Sequence, residues 1–133
     1  MEQQEIIYKL SIFEQQMQQI QQQLQLIKQA IVDLTSLDKD IDNLKGKKDQ
    51  EILAPISNGI FVKAKLISEE LIVDIGKQNF IKKSIPETKI TIQEQIKKLE
   101  EVQKQLTNSL EEINKEANEI LMNIEEDNNS KAH

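Results

Sequence analysis

The sequence predicts a mainly α-helical fold with a small β insert: a long antiparallel two-helix coiled coil carrying two β-hairpins at one end. Three observations lead there. From Ile6 to Leu34, and again from Ile92 to Ile124, apolar residues recur in alternating steps of four and three, the period of a coiled-coil seam. Between these stretches the period falls to two, as in strands. Apolar residues make up 38% of the 133, yet aromatics only 3%, which suits a thin seam of Ile and Leu better than a thick core.

The first helix is expected over 5–47. Ile6, Leu10, Phe13, Met17, Ile20, Leu24, Ile27, Ile31 and Leu34 form its seam, with Leu10, Met17, Leu24 and Ile31 at heptad position a and the others at d. The next apolar residue, Leu37, comes after a second step of three, followed by Ile41 and Leu44; such a stammer would overwind the supercoil locally. The remaining positions are largely glutamine, as in QQMQQIQQQLQ, which tolerates a helix and resists burial, so they form a solvated face. A disordered glutamine tract would have no reason to keep heptad spacing.

The middle segment, 51–84, reads as two hairpins, Ile52 to Ile67 and Leu71 to Lys83. Ile60, Val62, Ala64 and Leu66 alternate with Lys63 and Lys65, while Leu71, Val73 and Ile75 alternate with Asp74. Pro55 marks an edge or irregular strand. Ser57-Asn58-Gly59 is a hairpin turn, since Asn and Gly accept positive φ, and Gly76 to Asn79 makes a looser one. Isolated hairpins are marginal in water, so these must be covered by strands of other subunits, closing into barrels or packed sheets. The residues expected in that oligomerisation are Ile52, Ile60, Val62, Ala64, Leu66, Leu71, Val73, Ile75 and Phe80.

The second helix is expected over 85–125, opened by the capping box Ser84-Ile85-Pro86-Glu87 with proline in its first turn. Its seam runs Ile92, Ile96, Leu99, Gln103, Leu106, Leu110, Ile113, Ala117, Ile120 and Ile124, with Gln103 the one polar member. The polar stretch 126–133 is expected to be disordered. Two helices of about 40 residues, each on the order of 60 Å long, match in length, and the insert returns the chain so that each seam buries the other. The whole of 1–133 is then a single unit.

Antiparallel pairing sets Ile6 to Phe13 opposite Ala117 to Ile124, remote from the strands. Ile7, Ile12, Leu121 and Met122 fall outside the seam there. Together with Ile6, Leu10, Phe13, Ile120 and Ile124 they make a candidate binding surface of adaptable apolar side chains. The bland alternative is a frayed end with scattered surface apolar residues, since Leu26, Val32 and Val102 also lie off the seam.

Catalysis finds little footing. There is no cysteine, and the single histidine is His133, the last residue. Glu111, Glu112, Glu116 and Glu119 with Lys115 read as a solvated helix face, and Gly46, Gly59 and Gly76 punctuate turns instead of forming a phosphate loop. No enzyme, cofactor or metal site is expected. The net charge of -6, with lysine the only basic residue besides that histidine, argues against nucleic acid. No apolar run approaches the roughly 20 residues of a membrane span, and MEQQEIIYKL lacks signal-peptide order, so no membrane association and a cytoplasmic location are expected.

The insert carries a specific likeness. Ile52-Leu53-Ala54-Pro55-Ile56, Phe61-Val62-Lys63-Ala64-Lys65, Val73-Asp74-Ile75-Gly76 and Lys82-Lys83-Ser84, set between two heptad helices, resemble the alpha-type subunit of prefoldin, an archaeal and eukaryotic cytosolic co-chaperone. The resemblance spans nearly the whole chain, and two hairpins instead of one point to the alpha type. It implies a hexamer of two alpha-type and four beta-type subunits joined through β-barrels. It also implies a holdase that works without ATP, capturing unfolded polypeptides at the coiled-coil tips and delivering them to a group II chaperonin. The alternative is a structural adaptor whose tips bind one partner. The second turn, Gly76-Lys77-Gln78-Asn79, lacks the family's frequent second glycine, but Asn79 can occupy the left-handed region, so the turn is still expected.

Overall fold

The computed structural model describes residues 2–131. Along the chain run α1 (Gln3–Asp42), β1 (Glu51–Ser57), β2 (Ile60–Lys65), β3 (Leu71–Asp74), β4 (Phe80–Lys83) and α2 (Ile85–Lys131). These are the two helices and two hairpins that the change of period predicts. The chain divides into two compact units, one joining residues up to Ile31 with those from Lys98 onward, the other running from Val32 to Lys97.

The first unit is a seam and little else. On α1 every apolar residue of the heptad stripe from Ile6 to Ile31 is half-buried, and the intervening glutamines are exposed. On α2 the stripe Leu99, Gln103, Leu106, Leu110, Ile113, Ile120 and Ile124 is half-buried and Ala117 is buried. A lone helix leaves an alanine side chain open to water, so the burial of Ala117 reports cover from the facing helix. Half-burial is what a two-helix pair allows: each seam residue has one neighbouring helix and water beyond it.

The second unit holds a small core. Ile41, Ile85 and Ile92 are buried together, with Leu34, Leu44, Leu71 and Ile96 packed against them. The stammer expected at Leu37 is absent. Leu37 is 45% exposed, and the stripe instead continues through Asp38 to Ile41, an unbroken heptad. Asp38 escapes a reading of apolar spacing because it is charged; the structure can seat it because a lysine of α2 faces it. Gln103 is therefore not the only polar residue of the seam.

The C-terminal ends of both helices differ from the expected boundaries. α1 stops at Asp42 instead of 47, because tighter bonds of the i to i+3 kind take over: the amides of Asn43, Leu44 and Lys45 donate to the carbonyls of Asp40, Ile41 and Asp42 at 3.1–3.2 Å. Gly46 follows with φ +73°. α2 opens as the capping box predicts, with the Glu87 amide donating to Ser84 Oγ at 3.2 Å. It continues past 125 to Lys131, since neither Gly nor Pro interrupts the sequence there. Of the tail expected to be disordered, Ala132 and the lone histidine, His133, lie outside the described residues.

In the first hairpin β1 and β2 pair antiparallel, Ile52 opposite Ala64 and Ala54 opposite Val62, with an irregularity between Pro55 and Ser57. Asn58 (φ 50°) and Gly59 (φ 78°) make the two-residue turn. The ladder extends below the strands through the Leu66 amide donating to Gln50 O at 3.0 Å. In the second hairpin Leu71 faces Lys83 and Val73 faces Ile81. The expected turn over Gly76 to Asn79 forms, with Lys77 (φ 51°) and Gln78 (φ 60°), and not Asn79, in the left-handed region. Asn79 instead closes the turn, its amide donating to Gly76 O at 3.0 Å, so the central pair must bear the conformation.

Candidate interaction surfaces

In the first unit, three of the residues expected at the binding surface are openly exposed: Ile7 (67%), Leu121 and Met122 (61%). Tyr8, beside Ile7, is exposed too. Ile6, Leu10, Phe13, Ile120 and Ile124 are half-buried in the seam. Ile12, expected outside it, is half-buried as well. Tyr8 and Gln16 lie one turn away on either side, and long side chains at that spacing cover one another. Large apolar side chains are thus left in water beside a shallow seam, among exposed charged neighbours such as Glu5, Lys9 and Glu119.

In the second unit the hairpins present apolar side chains on more than one face. Each sheet has only two strands, so each strand keeps an unpaired edge among the described residues. Of the residues expected in oligomerisation, Ile60, Val62, Ile75 and Phe80 are exposed, while Ile52, Ala64, Leu66 and Val73 are half-buried. Leu71 turns the other way and packs against the Ile41, Ile85 and Ile92 core, so the second hairpin rests on the chain's own helices. The register puts Leu53 and Phe61 on the opposite face of the first hairpin from Ile52, and Ile72 and Phe80 on the opposite face of the second from Leu71. Leu53, Ile56, Phe61, Ile67 and Ile72 are all exposed, and sequence reading missed them as surface candidates. Their signal is nonetheless present: Leu53 and Ile72 each sit one residue out of phase with the alternating stripe, and a strand that is apolar at adjacent positions offers both faces.

Sequence reading also missed a charged cluster. Lys89 Nζ lies 3.7 Å from Asp38 Oδ2 and donates to Asp42 Oδ2, while Lys45 Nζ is 3.0 Å from Asp42 Oδ1. The Lys89 and Asp38 side chains are only 18% and 20% exposed. The hydrogen bond from Lys89, then that from Lys45, holds the Asp42 carboxyl below the usual aspartate range against an opposing effect of burial. The bond to Asp42 raises Lys89 above the usual lysine value, with burial opposing and the Asp38 charge adding to it. Asp38 Oδ1 is buried with no hydrogen-bond partner among the described residues.

Among the described residues no cluster of His, Cys, Asp or Glu could hold a metal ion, and no helix is long and apolar enough to cross a membrane. The arrangement offers contact surfaces and strand edges.

Comparison with known proteins gives a consistent result. The chain is 33% identical over 98 residues to prefoldin subunit alpha of Methanobrevibacter smithii, covering 73% of this chain and 67% of that one. To prefoldin subunit alpha of Methanococcus aeolicus it is 31% identical over 121 residues, 90% of this chain and 82% of the relative. Its fold superposes on a cryo-EM structure of filamentous PFD from Methanocaldococcus jannaschii with a TM-score of 0.77 at 16% identity, covering 86% and 97% of the two chains. The family profile described as prefoldin subunit matches residues 13–130, which takes in most of α1, both hairpins and α2, and on that match the chain belongs to the prefoldin family.

Proposed function

We propose that this chain is an ATP-independent co-chaperone subunit that holds unfolded polypeptides on the apolar surface of its first unit and delivers them to a group II chaperonin. The observation that carries the reading is the exposure of Ile7, Leu121 and Met122 alongside a seam that is itself only half-buried. Unfolded chains expose apolar segments without fixed shape, and Met, Leu and Ile adapt to such ligands better than a preformed polar site would. Ile6, Leu10, Ile12, Phe13, Ile120 and Ile124 complete the surface when the helix ends part. Family membership supports the reading.

Assembly belongs to the same proposal. The free strand edges and the exposed Leu53, Phe61, Ile72 and Phe80 are suited to joining strands of other subunits, taken here as beta-type prefoldin subunits in a cytoplasmic hexamer of two alpha and four beta. Several weakly binding arms on one body then hold a client with the avidity no single arm has.

The test is suppression of aggregation of several unrelated denatured proteins by the assembled complex. It is repeated after removing the residues before Leu10 and after Ala117, with assembly checked by mass. Loss of protection with assembly intact supports the holdase; equal protection moves the binding surface elsewhere. Protection of one client and no other would make the chain a structural adaptor.

A further inference from the structure

We propose that Asp38, Asp42 and Lys89 select the register of the helix pair in 32–97, making the native antiparallel alignment the one that leaves no seam charge buried without a partner. The neighbouring seam residues, Leu34, Ile41, Ile85, Ile92 and Ile96, are branched aliphatics at heptad spacing. Such a surface meets an equivalent surface again after a slip of seven residues in either direction, so it stabilises pairing without choosing among alignments. The stretch between Asp42 and Ile85 that joins the helices is long enough to permit that slip.

The charges remove the ambiguity. In the native alignment Lys89 is shared between Asp38, at 3.7 Å, and Asp42, one turn further along α1. A slip of one heptad toward the start of α1 would set Lys89 against the level of Ile31 and Thr35, with no acidic partner in the seam. A slip the other way would set it against Lys45 and leave Asp38 against Ile96. Either places a mostly buried charge against an aliphatic or like-charged neighbour, and an uncompensated buried charge is far costlier than a paired one. The pair need not add stability over a leucine pair to do this.

The chain has no cysteine, so cysteines placed at the exposed positions Lys39 and Lys97 can carry a pair of nitroxide labels. A one-heptad slip displaces the helices by about 10 Å, well within what dipolar distance measurement resolves. The labelled chain should give one narrow distance. With Asp38→Leu and Lys89→Leu together, thermal stability should hold or rise while the distance splits into two or more populations. The charge-reversed chain, Asp38→Lys, Asp42→Lys and Lys89→Asp, should return to one population at the parent's distance. A single narrow distance in the leucine variant overturns the proposal, as does loss of its helical circular dichroism, which would make the charges a source of stability instead of a selector.

Discussion

Lys89 Nζ lies 3.7 Å from Asp38 Oδ2 across a helix pair whose adjoining positions are Ile41, Ile85 and Ile92, so a charge on each helix occupies a place that the heptad reserves for an aliphatic side chain. The contact ties α1 to α2 through an element of the seam itself.

The pH dependence of the neighbouring Lys89–Asp42 pair follows from the shifts of those two groups. Asp42 is depressed, so its contribution is complete above the ordinary aspartate range and is lost as pH falls through its lowered value. Lys89 is raised, so its contribution is complete below the ordinary lysine value and is lost as pH rises through the higher one. Stability attributable to the pair should be level across neutral pH and fall at both extremes. Urea midpoints measured against pH for the parent and for Asp42→Asn should differ by an amount that vanishes in acid; parallel curves down to about pH 2 would show that Asp42 contributes nothing.

The second turn carries two side chains at positive φ. Replacing Gln78 (φ 60°) with glycine should stabilise the hairpin by about 0.5–1 kcal/mol, the cost of the left-handed conformation less the added freedom of the unfolded chain. Gly59→Ala (φ 78°) should destabilise the first hairpin by about 1 kcal/mol. Amide exchange in each hairpin reads both, and a slower exchange after Gly59→Ala would contradict the assignment.

The core of the second unit is small, so single truncations should be felt strongly. Ile92→Ala should cost about 2–4 kcal/mol in chemical denaturation. Leu71→Asp should free the second hairpin from the helices, raising amide exchange in β3 and β4 while leaving the first hairpin unchanged. Equal loosening of both hairpins would mean that they do not dock separately.

The exposed apolar residues of the first unit should be separable from its stability. Ile7→Ser with Met122→Ser should change the unfolding free energy by no more than about 0.5 kcal/mol each, yet weaken protection of denatured clients. Ala117→Asp, at a buried seam position, should unfold the pair locally. Full client protection by the double serine variant would remove these side chains from the binding surface.

On the outer sheet faces, Leu53→Asp with Phe61→Ser should leave the circular dichroism of the chain unchanged, because both side chains are exposed. The same change should abolish association with beta-type subunits by size measurement. Undiminished assembly would show that those faces stay in water.

Much of the fold was legible in the sequence because the information is local. A step of four and three puts Ile6 and Leu10 on one helix face whatever surrounds them, Asn58-Gly59 permits the backbone that a two-residue turn needs, and Ser84 with Glu87 caps a helix within four residues. The exposure of Ile7 and Met122 was legible from their phase off the stripe, whereas Ile12, also off it, is half-buried. Less visible were features that depend on a second element. Leu71 and Ile72 are both apolar, and only the docking of the hairpin decides which of them meets Ile41.

By itself, then, the sequence determined two amphipathic helices, the hairpins between them and which face of each helix avoids water, since each of these rests on neighbours a few residues apart. Tertiary structure alone decided that Asp38 replaces Leu37 in the seam, that Leu71 faces inward and that Lys89 meets Asp42 from 47 residues away. A charge is read as surface until an opposite charge stands across from it, and the residue that stands across is set by register, a property of the pair and of neither helix alone.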